Sequence, residues 1–222
     1  MPDPVCYEIL LRLKQEEDSM LPPGSFLDLA ESLGMMPKID RWVLRSVLTW
    51  CAARQKARPG AQLPMMCVNL SGRALLSNSF LGAAREEFAA AGVPPRAICF
   101  EINERDVIEH HARAESFIAA LKPLGCRFTL DAFGSAKVSF AHLEGLAFDF
   151  VKIDGIIVES ILHGKLGPAT VKAINIVCRE VGMRTIAEFV ESKATLDKLR
   201  EIGVDYIQGF GVARPEPIFK LS

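Results

Sequence analysis

A series of short apolar runs in this chain each stops at a carboxylate, an amide or a lysine, and this recurrence narrows the possible folds more than any other feature. The runs are Tyr7-Glu8-Ile9-Leu10-Leu11-Arg12, Met66-Cys67-Val68-Asn69-Leu70-Ser71, Phe100-Glu101-Ile102-Asn103-Glu104, Thr129-Leu130-Asp131, Phe150-Val151-Lys152-Ile153-Asp154, Ile186-Ala187-Glu188 and Tyr206-Ile207-Gln208-Gly209. Runs of this length bounded by turn residues read as buried parallel strands. Packing gives no reason to end strand after strand on a polar group. Parallel strands point the same way, so those ends share a face, which is where a (β/α) barrel builds its active site.

Between the runs lie helical patterns. Ser25-Phe26-Leu27-Asp28 has capping-box spacing, with Phe26, Leu29, Ala30 and Leu33 as an apolar stripe ending at Gly34. Further helices are expected from about Ile39 to Gln55, Phe80 to Ala91, Ala112 to Leu124 with Phe117, Ile118, Leu121 and Leu124 inward and Gly125 as cap, Ile157 to Glu180 in one or two pieces, and Lys193 to Ile202 before Gly203. A strand roughly every 20 to 35 residues matches βα units wound into a barrel or a doubly wound sheet. With 222 residues and 50% hydrophobic side chains, one domain over 1–222 with a substantial core is expected.

Charge and cysteine usage exclude several classes. Lys plus Arg (26) nearly balances Asp plus Glu (27), so there is no electrostatic footprint for duplex nucleic acid. Cys6, Cys51, Cys67, Cys99, Cys126 and Cys178 are scattered without a CxxC pair and read as core thiols of a cytoplasmic protein. No signal peptide or membrane-spanning apolar segment is apparent. The abrupt start at Met1-Pro2-Asp3-Pro4 suggests a domain excised from a longer signalling protein.

A pocket built from Glu8, Asn69, Glu101, Asp131 and Glu188 would be rich in oxygen donors and free of thiols, which suits Mg²⁺ or Mn²⁺. Divalent cations relieve the repulsion among gathered carboxylates. Two such ions roughly 3.5 to 4 Å apart are a standard arrangement for in-line hydrolysis of phosphate esters. Lys152 reaches the same face and suits a water or a phosphate oxygen.

At these residues the chain resembles, along nearly its whole length, the EAL family of bacterial cyclic di-GMP phosphodiesterases. Glu8-Ile9-Leu10 with Arg12 is similar to the family's Glu-Ala-Leu-x-Arg signature. Asn69-Leu70-Ser71, Phe100-Glu101-Ile102-Asn103-Glu104, Val151-Lys152-Ile153-Asp154-Gly155, Ile186-Ala187-Glu188-Phe189-Val190-Glu191 and Gln208-Gly209-Phe210 follow in order, and Asp40-Arg41-Trp42-Val43 and Arg214-Pro215 also match. The resemblance implies an α/β fold, a TIM-like (β/α) barrel whose first strand is antiparallel to the rest. It implies that Glu8, Asn69, Glu101 and Asp131 hold metal (Mg²⁺ or Mn²⁺), that Glu188 binds metal or activates water, and that Lys152 and Asp154 complete the reaction site. Arg12, Gln208 and Glu191 are assigned to the dinucleotide, and Glu104 to steadying the loop after Asp131. The implied chemistry is hydrolysis of cyclic di-GMP to pGpG. A homodimer and an upstream sensory or GGDEF-type domain are also implied.

One departure bears on activity. The family reads Asp-Asp-Phe-Gly-Thr/Ser-Gly where this chain reads Asp131-Ala132-Phe133-Gly134-Ser135-Ala136. Ala132 removes a carboxylate that the family uses at the second metal, and Ala136 replaces a loop glycine. Losing even a supporting partner costs roughly 10 to 100-fold in metal affinity or activity. Weakened hydrolysis is the expectation, with a cyclic di-GMP receptor or signalling scaffold as the alternative and a nucleotide-free dimerisation module as a third reading. Taken singly, each strand-end acid also reads as a surface carboxylate or cap. Asp154-Gly155 also reads as a plain turn, Glu191 as a helix N-terminal charge, and Phe210 as either core or guanine-stacking surface. His110, His111, His142 and His163 fall away from the strand ends and are not taken as ligands, and Trp42 and Trp50 are read as helix packing.

Overall fold

The computed structural model of the chain describes residues 5–14, 20–135 and 137–221. These residues fall into two compact units, one made of the chain up to Ile102 with Asp106–Arg127, the other of Asn103–Arg105 with Phe128 onward. Strand and helix alternate in both, so the chain is α/β.

The first stretch runs β1 (Cys6–Ile9), β2 (Leu13–Lys14), β3 (Met20–Leu21), α1 (Leu27–Ser32), α2 (Met36–Ala57), β4 (Met65–Leu70), α3 (Gly72–Leu75), α4 (Asn78–Ala91), β5 (Ile98–Asn103), α5 (Glu104–Glu109) and α6 (His111–Leu121). β1 pairs with β4 and β4 with β5, both in parallel. The expectation of an antiparallel first strand is therefore corrected. About 55 residues, α1 and α2 among them, separate β1 from β4, and such a long crossover returns the chain to the same end of the sheet, as a parallel pair requires. β2 and β3 pair with each other in antiparallel fashion. The core of this unit joins Leu44, Val47, Leu48 and Cys51 of α2 to Phe80 and Phe88 of α4 and to Phe117 and Ile118 of α6. Phe117 stacks on Phe80 at 6.2 Å and meets Phe100 edge-on at 5.8 Å, and each buried ring contributes roughly 1.5 to 3 kcal/mol. Glu87 joins α4 to α2 by accepting from Arg41 Nε (3.0 Å) and Arg45 Nη2 (2.6 Å).

The second stretch runs β6 (Arg127–Phe133), β7 (Phe150–Ile153), α7 (Gly155–Glu159), α8 (Leu166–Glu180), β8 (Arg184–Ala187), α9 (Lys193–Ile202) and β9 (Tyr206–Ile207). Adjacent strands β6 to β9 pair in parallel. A polar network stands under β8: Asp205 Oδ2 accepts from Thr185 N (2.9 Å), Asp205 Oδ1 accepts from Arg179 Nη2 (2.8 Å), and Thr185 Oγ1 donates to Asn175 Oδ1 (2.6 Å). Asp205→Ala leaves a buried amide without its acceptor, so a loss of about 2 to 3 kcal/mol in urea unfolding is expected. A loss below about 0.5 kcal/mol would show that the network is incidental.

Local readings are corrected at several points. Ser25 lies in a 3-10 turn, and α1 begins after Phe26 without a side-chain cap, so no capping box forms. Leu29 and Leu33 are each 64% exposed and Ala30 is the buried position, so the α1 stripe does not face inward. The last turn of the Ala112–Leu124 pattern is a 3-10 turn, Lys122–Leu124, in which Leu124 is exposed. Pro123 has no N–H to continue the α-helical ladder there. Trp42 is exposed, and Trp50 carries Arg54 over its ring at 5.3 Å. Five cysteines are buried, whereas Cys6 is exposed. The Ile157–Glu180 pattern is two helices, α7 and α8, and Lys193–Ile202 has the expected bounds, with Gly203 at φ +84° as its stop.

Candidate active site

In the first unit the donors stand on neighbouring parallel strands. Asn69 and Glu101 are Cα partners across β4 and β5. Glu8 pairs in register with Cys67, and its side chain leans one pleat onward, where Glu8 Oε1 accepts from Asn69 Nδ2 at 3.1 Å. Glu101 is 2% exposed. Arg12 is exposed and donates to its neighbour's carbonyl, Leu11 O, at 2.8 Å.

The end of β4 is held from α2. Asp40 Oδ2 accepts from Ser71 Oγ (2.5 Å) and from Ser71 N (3.2 Å), while Ser71 Oγ accepts from Ala74 N to cap α3. Burial pushes the Asp40 carboxyl up from 3.8 to about 6, against the two Ser71 hydrogen bonds that lower it. Because the folded value lies above the unfolded one, the native state binds more protons between these pH values, and stability falls as pH rises from about 4 through 6. Ionised Asp40 costs the native state about 3 kcal/mol near neutral pH. Asp40→Asn is expected to abolish that share of the decline, measured by urea midpoints from pH 4 to 7. Parallel profiles for parent and variant would overturn the assignment.

The second unit carries the charged cluster. Lys152, third residue of β7, is 1% exposed; its Nζ lies 3.2 Å from Glu188 Oε1 and 3.6 Å from Asp131 Oδ1. β6 is bulged here: Leu130 pairs with Val151 and Phe133 with Ile153, so Asp131 and Ala132 together oppose Lys152. A bulge re-aims side chains that a regular ladder would alternate. Ala132 supplies the turn with φ +55°, a left-handed conformation that alanine adopts at a cost of roughly 1 to 2 kcal/mol. Phe189, directly after Glu188, is also left-handed at φ +52°, and its exposed ring lies against Gly155, where an added Cβ would stand 2.5 Å from Phe189 Cδ2. Each carboxylate that faces Lys152 is thus followed by a residue in an unfavourable backbone conformation. Such conformations persist where the surrounding structure holds them, and they gather at functional sites.

Glu104 is buried, and its Oε2 accepts from Gly134 N at 2.9 Å, tying down the loop after β6. Ala136 lies outside the described residues. Asp154 caps α7 by accepting from Ile156 N at 2.9 Å, the turn role that its sequence also allowed. Glu191 is exposed and directly precedes Ser192, the N-cap of α9. Gln208 is half-buried; its N–H donates to Ala187 O and its carbonyl accepts from Val190 N. Gly209 cannot carry a side chain, since its Cβ would stand 2.3 Å from Val190 N. Phe210 is exposed with Arg214 over its ring at 5.1 Å, which favours surface over core for that ring.

Among the described residues, no group of three or more His, Cys, Asp and Glu side chains is arranged to hold a metal ion. The donors nevertheless suit a hard cation in two respects. Asp131 Oδ1 is buried without a hydrogen-bond partner, and the set is made of carboxylate and amide oxygens. Sequence reasoning missed Phe189 and the Asp40–Ser71 contact. A bulky residue at positive φ leaves no local signal, and the contact spans 31 positions of chain.

Comparison with known proteins places this geometry. The EAL domain family model matches residues 2–215. The chain is 35% identical to the cyclic di-GMP phosphodiesterase PdeB of Shewanella oneidensis over 95% of its own length and 24% of that protein's. It is 29% identical to the cyclic di-GMP phosphodiesterase PdeF of Escherichia coli, over 96% of its length and 28% of that protein's. The chain thus spans about a quarter of the length of these curated relatives. Among solved structures, the FimX EAL domain of Pseudomonas aeruginosa bound to c-di-GMP is 30% identical, with a TM-score of 0.87 over 95% of this chain and 84% of that one. The Xanthomonas citri FimX EAL domain in complex with c-di-GMP is 28% identical, with a TM-score of 0.90 over 99% and 85%. This likeness gives the chain the α/β, TIM-like (β/α) barrel class of those domains.

Proposed function

The chain belongs to the EAL domain family, and from that premise we propose that it hydrolyses one phosphodiester of cyclic di-GMP to the linear dinucleotide pGpG, with Mg²⁺ or Mn²⁺ as cofactor. The observation that carries this reading is the buried Lys152 ammonium beside Glu188 and Asp131, on a strand bulged to face it. A lysine this buried is stabilised by paired carboxylates, and in a phosphodiesterase it serves the chemistry by holding a phosphate oxygen or the attacking water. Glu188, whose Oε1 lies 3.2 Å from Lys152 Nζ, is assigned to bind metal or to activate that water. On the family motif, Glu8, Asn69, Glu101 and Asp131 are the residues we assign to the metal. A bound cation supplies Lewis-acid polarisation of the phosphoryl oxygens and lowers the pKa of water. Arg12, Gln208 and Glu191 are assigned to the dinucleotide; Asp154 is kept in the reaction site on the family motif, alongside its capping role. Glu104 steadies the Gly134 loop.

The test is a single-turnover incubation of cyclic di-GMP with excess protein in Mn²⁺, resolved by chromatography, with Glu8→Ala as control. The reading predicts pGpG from the parent alone. Unchanged cyclic di-GMP at high enzyme concentration would remove it. Ala132 favours a second reading, a cyclic di-GMP receptor or scaffold, because the family's second aspartate is missing at the bulge. Intact cyclic di-GMP that co-purifies with the protein would support that alternative. A homodimer and an upstream sensory or GGDEF-type domain belong to the same proposal. Among the described residues no helix is long and apolar enough to cross a membrane.

A further inference from the structure

We propose that Cys6 and Cys67 are a peroxide-oxidisable thiol pair that closes to a disulfide one pleat beneath Glu8 and Asn69. The sequence repeats one spacing on three adjoining strands: Cys6-Tyr7-Glu8, Cys67-Val68-Asn69 and Cys99-Phe100-Glu101. Residues two apart share a face of a strand, so each donor has a thiol beneath it. The pairing of the upper row recurs in the lower one. Asn69 and Glu101 are Cα partners, and so are Cys67 and Cys99. Glu8 Oε1 lies 3.1 Å from Asn69 Nδ2, and Cys6 Sγ lies 3.1 Å from Cys67 Sγ.

No disulfide links any of the six cysteines. The Cys6–Cys67 sulfurs need about 1 Å of closure to reach a disulfide bond of ~2.05 Å. Cys6 is in register with Met65 and reaches Cys67 diagonally, so closing the bond requires the four-residue β1 to shift toward β4 as the side chains rotate. Exposure separates the roles: Cys6 is exposed and meets an oxidant, whereas Cys67, 2% exposed, lies beneath as the resolving thiol. A hydroperoxide supplies the oxidising equivalents. The Cys6 sulfur attacks the peroxide, its S–H and the O–O bond are lost, and Cys6 sulfenic acid and water (or an alcohol) form. The Cys67 sulfur then attacks the sulfenic sulfur, the S–O bond breaks, and the Cys67 proton leaves with the hydroxyl as water. The peroxide is reduced by two electrons, and the two thiols together lose two.

The disulfide draws β1 and β4 together two residues before Glu8 and Asn69, so the hydrogen bond between those donors must readjust. Its consequence for turnover rests on the phosphodiesterase reading; its formation does not. The experiment treats the full chain with hydrogen peroxide under native conditions, quenches it, and reads intact mass and a non-reducing peptide map. The expected result is a loss of about 2 Da with a Cys6–Cys67 cross-linked peptide, reversed by dithiothreitol and absent from Cys6→Ser. Six thiols still titrating after treatment, oxygen addition at Cys6 without a cross-link, or the same mass loss in Cys6→Ser would each overturn the pair. A chain without phosphodiesterase activity still gives this readout, so the two proposals fail separately. In an active chain the oxidised form is expected to turn over about tenfold slower and to recover with reductant. Equal rates would overturn the consequence for the donors.

Discussion

Lys152→Met is expected to lower single-turnover hydrolysis of cyclic di-GMP by about 10² to 10³-fold while the chain still folds. The range is that measured when one preorganised electrostatic donor is removed from an active site. Lys152 is 1% exposed, with Glu188 Oε1 at 3.2 Å and Asp131 Oδ1 at 3.6 Å. Methionine fills much of the same volume but leaves two carboxylates without the ammonium between them, and breaking a buried pair from one side costs about 3 to 5 kcal/mol. Stability is therefore expected to fall as well, which makes the activity loss ambiguous by itself. Lys152→Arg separates the two roles. Arginine keeps the positive charge and recovers stability, but its planar fork cannot reproduce the compact ammonium, so hydrolysis stays low. An arginine variant that restores both stability and rate would show that Lys152 contributes only charge. A methionine variant as active as the parent would remove Lys152 from the chemistry.

The opposite change is expected at Ala132. Ala132→Asp should raise the hydrolysis rate at limiting Mn²⁺ by about 10 to 100-fold, the range associated with a lost supporting partner at a metal site. The backbone makes this substitution favourable. At φ +55° alanine is strained, whereas aspartate and asparagine visit the left-handed region several-fold more readily. Strain relief and the returned charge can be told apart. Ala132→Asn should share the gain in thermal stability without the gain in rate. If asparagine raises the rate as much as aspartate, the bulge geometry limits turnover and the carboxylate does not. If neither variant changes the rate, the limiting step lies elsewhere, and the receptor reading gains ground.

Much of the fold was legible because the signals are local. Lys193–Ile202 could be bounded to the residue because Ser192 caps it and Gly203 ends it, and both act within one turn of the helix. The apolar runs located β4, β5, β6 and β7 because a strand buried on both faces needs an unbroken apolar stretch. Local signals misled where tertiary demands override them. Ser25-Phe26-Leu27-Asp28 has the letters of a capping box, yet the helix starts after Phe26 without a side-chain cap. The antiparallel first strand came from the family resemblance, while the direction of β1 is settled by its partner β4 across a long connection.

The candidate residues were readable as chemical types at strand ends, and Ala132 stood out as a substitution. Their relations were not readable. That the sequence would place Asp131 and Ala132 opposite the single Lys152, or set Asp40 against Ser71, depends on register, which is a property of two strands or of a helix and a strand at once. Phe189 gave no warning either, because a positive φ at a bulky residue is imposed by the structure around it and runs against its intrinsic preference.

By itself the sequence determined the alternation of strands and helices, the polar residues at the strand ends, and the thiol two positions before each of Glu8, Asn69 and Glu101. Periodicity and spacing act along the chain, so a reader of the chain recovers them. Only the tertiary structure decided that Lys152 is buried between two carboxylates, that Ala132 and Phe189 are strained beside them, and that Cys6 meets Cys67 across 61 positions. Those features arise where separate segments pair and exclude water together, and no single segment carries the energy that selects them.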